Sequence, residues 1–267
     1  MSFPRVAAIV LRQWYLMKGS FSRILPNVTW VAVDIILWGF ITKYLAAITA
    51  SKFDFVPLLL GSVLIWDFFV RIMHGISMAF FEDIWSRNFL NLFSTPLSIA
   101  EYLTGLVCTS IATGTFGLAV MLLLAIGGFG LSFARYGLLI FPFFMILFLF
   151  GVALGISGIA LVLRLGPASE WFIWPIPAIL SPFVGVFYPI ETLPQWMQLI
   201  ARILPPSYVF ENIRSIVSGG QASMQSLGIS TVLAVIYILI ACWIFTRVYR
   251  RAVRTGLIAR YSAESVS

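Results

Sequence analysis

An all-α integral membrane protein is predicted from three observations. The chain has 267 residues, of which 61% are hydrophobic and only 10% charged. Its mean hydropathy is +1.01. Its apolar residues fall in continuous runs rather than in the short alternating segments of a barrel. A soluble domain must wet its outside and has no room for this much apolar surface.

Six runs, residues 26–48, 55–79, 97–127, 136–163, 171–188 and 227–249, can each hold the roughly 20 residues of a spanning helix. Before the first, residues 4–21 set Trp14, Tyr15 and Leu16 among Arg5, Arg12 and Lys18, the composition of a helix lying in the membrane interface. That basic stretch is too long, and the run after it too extended, for a cleaved signal peptide. The first run carries Asp34. The second carries Asp67, Arg71 and His74 at spacings of four and three, which places them on one helix face. A charge in mid-bilayer costs roughly 2.5–3.5 kcal/mol on insertion scales, so these residues should face protein, pair, or line a wet cavity. The bland expectation is an Asp67–Arg71 pair, reaching Asp34, that locks spans one and two together. The functional one is a polar patch on a transport path or at a dimer seam.

Between spans two and three lies FFEDIWSRNFLNLFSTPLSIAEY, where a greasy chain pauses for charge. Ile84, Trp85, Phe89, Leu92 and Phe93 recur at helical spacing, and Glu82 and Asp83 would complement the dipole of a first turn. The pattern predicts a short amphipathic helix over residues 82–95. It reads either as a membrane-surface loop helix or as a docking peg for a partner. Span four carries Gly151, Gly155 and Gly158, a small face for close helix approach. Span five holds Pro175, Pro177 and Pro182 and is expected to be kinked or broken. Residues 189–217 are cut by Pro189, Pro194, Pro205 and Pro206 into two pieces too short to cross, expected to dip into the outer leaflet.

Six spans put both ends on one side. That side holds Arg5, Arg12, Lys18, Arg23, Arg87, Arg164, Arg247, Arg250, Arg251, Arg254 and Arg260. The other holds Lys43, Lys52, Arg135, Arg202 and Arg214, so both termini are expected in the cytoplasm. The net charge of +7 therefore reads as an orientation signal and not as a nucleic-acid footprint. Cys108 and Cys242 each lie inside an apolar run without metal-ligand spacing, so no disulfide framework, zinc site or resident cofactor is indicated. No internal repeat or linker divides the chain, which reads as a single transmembrane domain.

The stretch EDIWSRNFLNLFSTPLS and the stretch PIETLPQWMQLIARILPPSYVFENIR together resemble the permease subunits of type-2 ATP-binding-cassette exporters, the ABC-2 family. The resemblance implies that Glu82, Asp83, Trp85, Arg87, Asn88 and Phe89 belong to a coupling helix seated on an ATPase subunit. It implies that Pro189, Glu191, Pro194, Pro205, Pro206, Glu211 and Arg214 belong to paired external re-entrant helices. It further implies a dimer of permeases, most simply a homodimer, with two ATPase subunits at the plasma membrane, the inner one of a bacterium. The chain has no catalytic residues to offer. A Walker A loop needs Gly-Lys followed by Ser or Thr, and none of Lys18, Lys43 or Lys52 follows a glycine. ATP and magnesium would be bound by the partner. Ser218-Gly219-Gly220-Gln221 resembles part of an ATPase signature only by coincidence. The expected cargo is hydrophobic or amphipathic: a drug, a lipid or a lipid-linked glycan. The rival expectation is an ion-coupled secondary transporter or channel built on Asp67, Arg71 and His74. Such a carrier should show inverted repeats or paired broken helices.

Overall fold

A computed structural model describes residues 1–19, 21–49, 56–86, 91–92 and 94–256. Every regular element among them is helical. Five helices are long and apolar enough to cross a membrane, within Thr29–Ile48, Val56–Trp85, Ile99–Phe129, Tyr136–Leu165 and Met224–Arg254.

Helix α1, Phe3–Lys18, starts with Pro4 in its first turn, where the missing N–H costs nothing. It buries Ile9 and Gln13 and leaves Trp14 and Tyr15 exposed. Helix α2 spans Phe21–Thr49 and turns Val31 and Ile35 inward while Trp30, Leu37 and Phe40 face out. A π-helical turn, Val56–Leu60, leads into α3, Gly61–Trp85, which is buried on most of its sides. Helix α4, Ile99–Phe129, opens with a capping box: Ser98 Oγ accepts from the Glu101 N–H, and the Glu101 carboxylate accepts from the Ser98 N–H. Gly130, at φ 68°, closes it in the left-handed conformation. Helix α5 covers Ile140–Leu165 and ends at Gly166.

α3 is the axis of the bundle, packed mainly against α4 and α5, and α9 (Met224–Arg254) packs along α5. The α3–α5 seam depends on glycine. A Cβ at Gly151 would lie 3.1 Å from the Phe69 carbonyl, and one at Gly155 3.0 Å from Ile76 Cβ and 3.1 Å from the Met73 carbonyl. The expected small face of span four is thus a contact within one chain. A second cluster, Val31, Ile35, Leu60, Leu64, Met121, Ala125 and Leu131, joins α2 to the start of α3 and the end of α4.

The bundle has two distinct ends. The proximal end holds α1, the last turn of α3 and the first turn of α4, joined by Arg12–Asp83 and Arg5–Glu101 contacts. The distal end holds the starts of α5 and α9, since Leu138, Leu139 and Met224 line one shallow groove there. Halfway along, Phe150 meets Tyr237 edge to face, with ring centroids 5.1 Å apart. Helices α5 and α9 therefore run in the same direction. The chain between them must return along the length of the bundle, and it does so without a long helix. It forms a 3₁₀ turn Pro167–Phe172, the five-residue α6, Ile176–Leu180, and turns up to Tyr188. The expected helical span over residues 171–188 is accordingly corrected to an irregular strand of chain. The prolines explain it: Pro175 caps α6, Pro177 sits in its first turn, and Pro182 follows its end, so an unbroken ladder cannot form. Contacts mark the ascent: Trp85–Glu170 at the proximal end, Trp174 on His74 midway, and Arg214 on the Gly185 carbonyl beyond.

Two short helices then cover the distal end, α7 over Gln195–Ala201 and α8 over Pro205–Val217. They coincide with the two proline-bounded pieces read from the sequence. α8 sits under the bundle cap, with Phe210 against Trp66 at 6.0 Å.

A second difference concerns residues 82–95. Glu82 and Asp83 belong to the last turn of α3, which runs six residues past the expected end of span two at residue 79. They do not open a separate helix. Asn91 and Leu92 are helical, and Ser94–Pro96 turn into α4. Arg87, Asn88 and Phe89 lie outside the described residues.

Candidate functional site

The proximal end is a charged layer tied across four segments. Asp83, almost fully buried, accepts from the Arg12 guanidinium at one carboxylate oxygen and from the Tyr102 hydroxyl at the other, 2.7 Å away. Helices α1, α3 and α4 thereby share one carboxylate. Gln13 Nε2 donates to the Ala79 carbonyl at 3.2 Å. Glu101 gathers the Ser2 N–H at 2.7 Å, the Ser98 N–H at 2.9 Å and Arg5 at 3.4 Å. Ile9 lies in the dent over Gly105, where a Cβ would come within 2.7 Å. Trp85 remains 52% exposed while its indole N–H donates to Glu170 Oε2 at 3.1 Å. The layer therefore links α1, both neighbouring spans and the turn that begins the irregular ascent.

Midway, Arg71 donates to Asp67 Oδ2 from Nε at 3.1 Å and from a terminal nitrogen at 3.0 Å. Its guanidinium lies against Gly117 of α4, where a Cβ would stand 2.9 Å from Arg71 Cδ. Asp34, half-buried on α2, lies close enough to feel both charges. Of the expected patch of Asp34, Asp67, Arg71 and His74, the structure pairs Asp67 with Arg71. His74 is one turn further along α3; its ring packs on Trp174 at 4.9 Å, and its Nε2 is buried without a hydrogen-bond partner.

At the distal end Glu211 Oε1 accepts from Arg214 at 2.7 Å and from the Ile190 N–H at 2.9 Å. Arg214 also donates to the Gly185 carbonyl at 2.7 Å, and Gly185 sits at φ 72°, a conformation that favours glycine. Pro189 and Pro194 precede the Ile190–Thr192 turn and α7, and buried Pro205 and Pro206 start α8. Glu191 is exposed. Asn212 completes the cap by donating to Ser226 Oγ at 2.6 Å and accepting from the Ser223 N–H at 2.7 Å, tying α8 to the start of α9.

A long apolar bundle, a charge-tied proximal layer and a proline-built distal cap now meet an independent finding. A family model described as an ABC-2 family transporter protein matches residues 47–243. The chain belongs to the ABC-2 transporter family. The match takes in α3 through α8 and most of α9, well over half of the chain. A comparison with curated proteins returns no match. As an ABC-2 chain it is the membrane component of a transporter, an integral multi-pass protein of a kind that is generally not catalytic. Family membership also implies association with an ABC ATPase.

Sequence reasoning did not single out Tyr102, Glu101, Gly117 or Asn212, and it took Arg12 for a topology signal. One of these was within reach: Ser98 followed three residues later by Glu101 is a capping-box signature. Tyr102 and Gly117 carry no local signal, because their roles depend on residues of another helix.

Proposed function

We propose that this ABC-2 chain is the permease of an ATP-driven exporter, paired with a second permease copy and driven by two separate ATPase subunits that bind ATP and magnesium. Its proximal end faces the cytoplasm, and the irregular ascent over residues 167–188 serves as the sixth crossing. The substrate is hydrophobic or amphipathic, a drug, lipid or lipid-linked glycan, leaving the cytoplasm or the inner leaflet of the plasma membrane. One observation carries this reading. The family match spans residues 47–243 of a sequence that holds no Gly-Lys-Ser or Gly-Lys-Thr, which supports energy arriving by contact with an ATPase.

The proximal layer supports the route of that contact. α3 ends at Trp85, two residues past Asp83, so a partner bound to the chain that follows would pull on a helix already pinned to α1 and α4. Closure of two ATPases would then bias a rigid-body change of the bundle. The ion-coupled alternative gains less from the geometry, because Arg71 is already held by Asp67 at two nitrogens.

The test is affinity purification of the tagged chain from its native membranes, with ATP hydrolysis and co-purifying polypeptides measured. A polypeptide with a Walker A motif should accompany the wild type. Arg87→Glu combined with Asn88→Ala should remove most of it while the permease still elutes as a sharp peak. Transport that proceeds without any such polypeptide and collapses with a protonophore would replace this reading by the ion-coupled one.

A further inference from the structure

The last three turns of α9 carry four arginines, Arg247, Arg250, Arg251 and Arg254. Among the described residues no ion pair joins any of them to an acid. Three proximal acids are committed elsewhere: Asp83 to Arg12 and Tyr102, Glu101 to Ser2 and Arg5, and Glu170 to Trp85. The opposite face of α9 is fully used, since Phe245 and Ala252 are buried and Phe245 stacks on Tyr249 at 6.1 Å. Trp243, Arg247, Arg250 and Arg254 follow one another at spacings of four, three and four and form one exposed stripe.

This stripe is shaped for an amphiphile with an anionic head. Cys242, Trp243, Thr246, Arg247 and Arg250 line a shallow groove along the helix. At its apolar end Trp243 is 58% exposed, a ring of the type that sits at headgroup level. The Arg247 guanidinium lies over that ring, 4.7 Å from its centroid, which holds the fork in place by a cation–π contact. Three residues on, Arg250 offers a second fork to the same groove. Guanidinium forks match phosphate oxygens in pairs, and a cluster of arginines just beyond the apolar part of a spanning helix attracts anionic lipid.

We infer that the Trp243–Arg247–Arg250 groove binds an anionic phospholipid, its phosphate between the two guanidinium groups and its acyl chains running along the apolar surface of α9 from Trp243. The inference is independent of whether the chain exports or carries, because it concerns only the leaflet in which the end of α9 lies. Arg254 extends the same field without reaching the groove.

The experiment uses the full-length protein in a neutral detergent, titrated with phosphatidylglycerol or phosphatidylcholine and read by native mass spectrometry and by melting temperature. Wild type should retain phosphatidylglycerol and gain several degrees, with no comparable gain from phosphatidylcholine. Arg247→Gln with Arg250→Gln should weaken phosphatidylglycerol binding by about thirty-fold, which corresponds to two arginines at ~1 kcal/mol each. Arg202→Gln, at the opposite end of the bundle, removes one positive charge without touching the groove and should leave binding as it is. Equal retention of the two lipids, or unchanged phosphatidylglycerol binding in the double variant, overturns the inference. So does a double variant that binds lipid normally but loses a co-purifying cytoplasmic protein, for then the stripe is a protein interface.

Discussion

Asp83 shows how a single carboxylate can organise one end of a membrane protein. With Arg12 on one oxygen and Tyr102 on the other, its charge is compensated where it is buried. Removing one partner of such a buried pair leaves an uncompensated charge and costs typically about 3–5 kcal/mol. Arg12→Ala should therefore lower the melting temperature of the purified protein sharply, whereas Arg5→Ala, on a pair 45% exposed on the arginine side, should cost little. Equal melting temperatures for the two variants would mean that the buried pair contributes no more than the exposed one. The Asp67–Arg71 pair, only 16% and 14% exposed, calls for a double-mutant cycle. Arg71→Gln alone should hurt more than Arg71→Gln with Asp67→Asn, read as membrane yield and thermal stability. Strict additivity would contradict the pairing. Asp83 also marks a limit of sequence reading. As one acid among polar neighbours it looked like part of a first turn, and only Arg12, distant in sequence, reveals it as the lock on a last turn.

At the scale of elements, glycine and proline decide most. A Cβ on Gly155 would stand 3.0 Å from Ile76 Cβ and 3.1 Å from the Met73 carbonyl, so the α5 backbone packs directly on α3 along this seam. Gly155→Leu should drive the two helices apart and cost several kcal/mol by overpacking, on the order of 1–3 or more. The measurement is thermal stability and elution volume in detergent; an unchanged profile would remove the seam from the fold's support. Gly127, around which a Cβ meets nothing within 4 Å, is the matched control and should accept alanine without loss. The prolines act the other way, by preventing a helix. Pro175, Pro177 and Pro182 were readable as breakers, and the break is where they place it. The exit from α3 was not readable in the same way. Hydropathy falls at Glu82, yet the helical ladder continues to Trp85 because Asp83 finds its partners on α1 and α4.

For the whole molecule, the telling feature is that α5 and α9 point the same way. Five long helices alone would leave the termini on opposite sides of a membrane. Under the proposed function, the irregular ascent between α5 and α8 would serve as a sixth passage and return both ends to one side. Single cysteines test this in the full chain with Cys108 and Cys242 replaced by serine. In right-side-out vesicles a membrane-impermeant maleimide should label Ser132→Cys and Gly219→Cys, and should spare Ser86→Cys and Thr255→Cys until the membrane is broken. Labelling of Thr255→Cys from outside would sink the six-passage arrangement. What the sequence alone determined is the solvent and the places of the five long apolar helices. Those are local properties, since about 20 apolar residues in a row have few stable homes other than a bilayer. The proline-cut distal pieces and the small face of α5 were legible for the same reason, being set by residue type at short range. Asp67 with Arg71 was legible from its spacing of four; the tertiary structure decided which charges meet across helices. Arg12 with Asp83, Tyr102 with the same carboxylate, and Arg71 in the notch of Gly117 join helices whose sequence separation carries no signal of contact. Inside a bundle a charge is worth what its neighbours make of it, and neighbours on another helix come from packing, not from spacing along the chain.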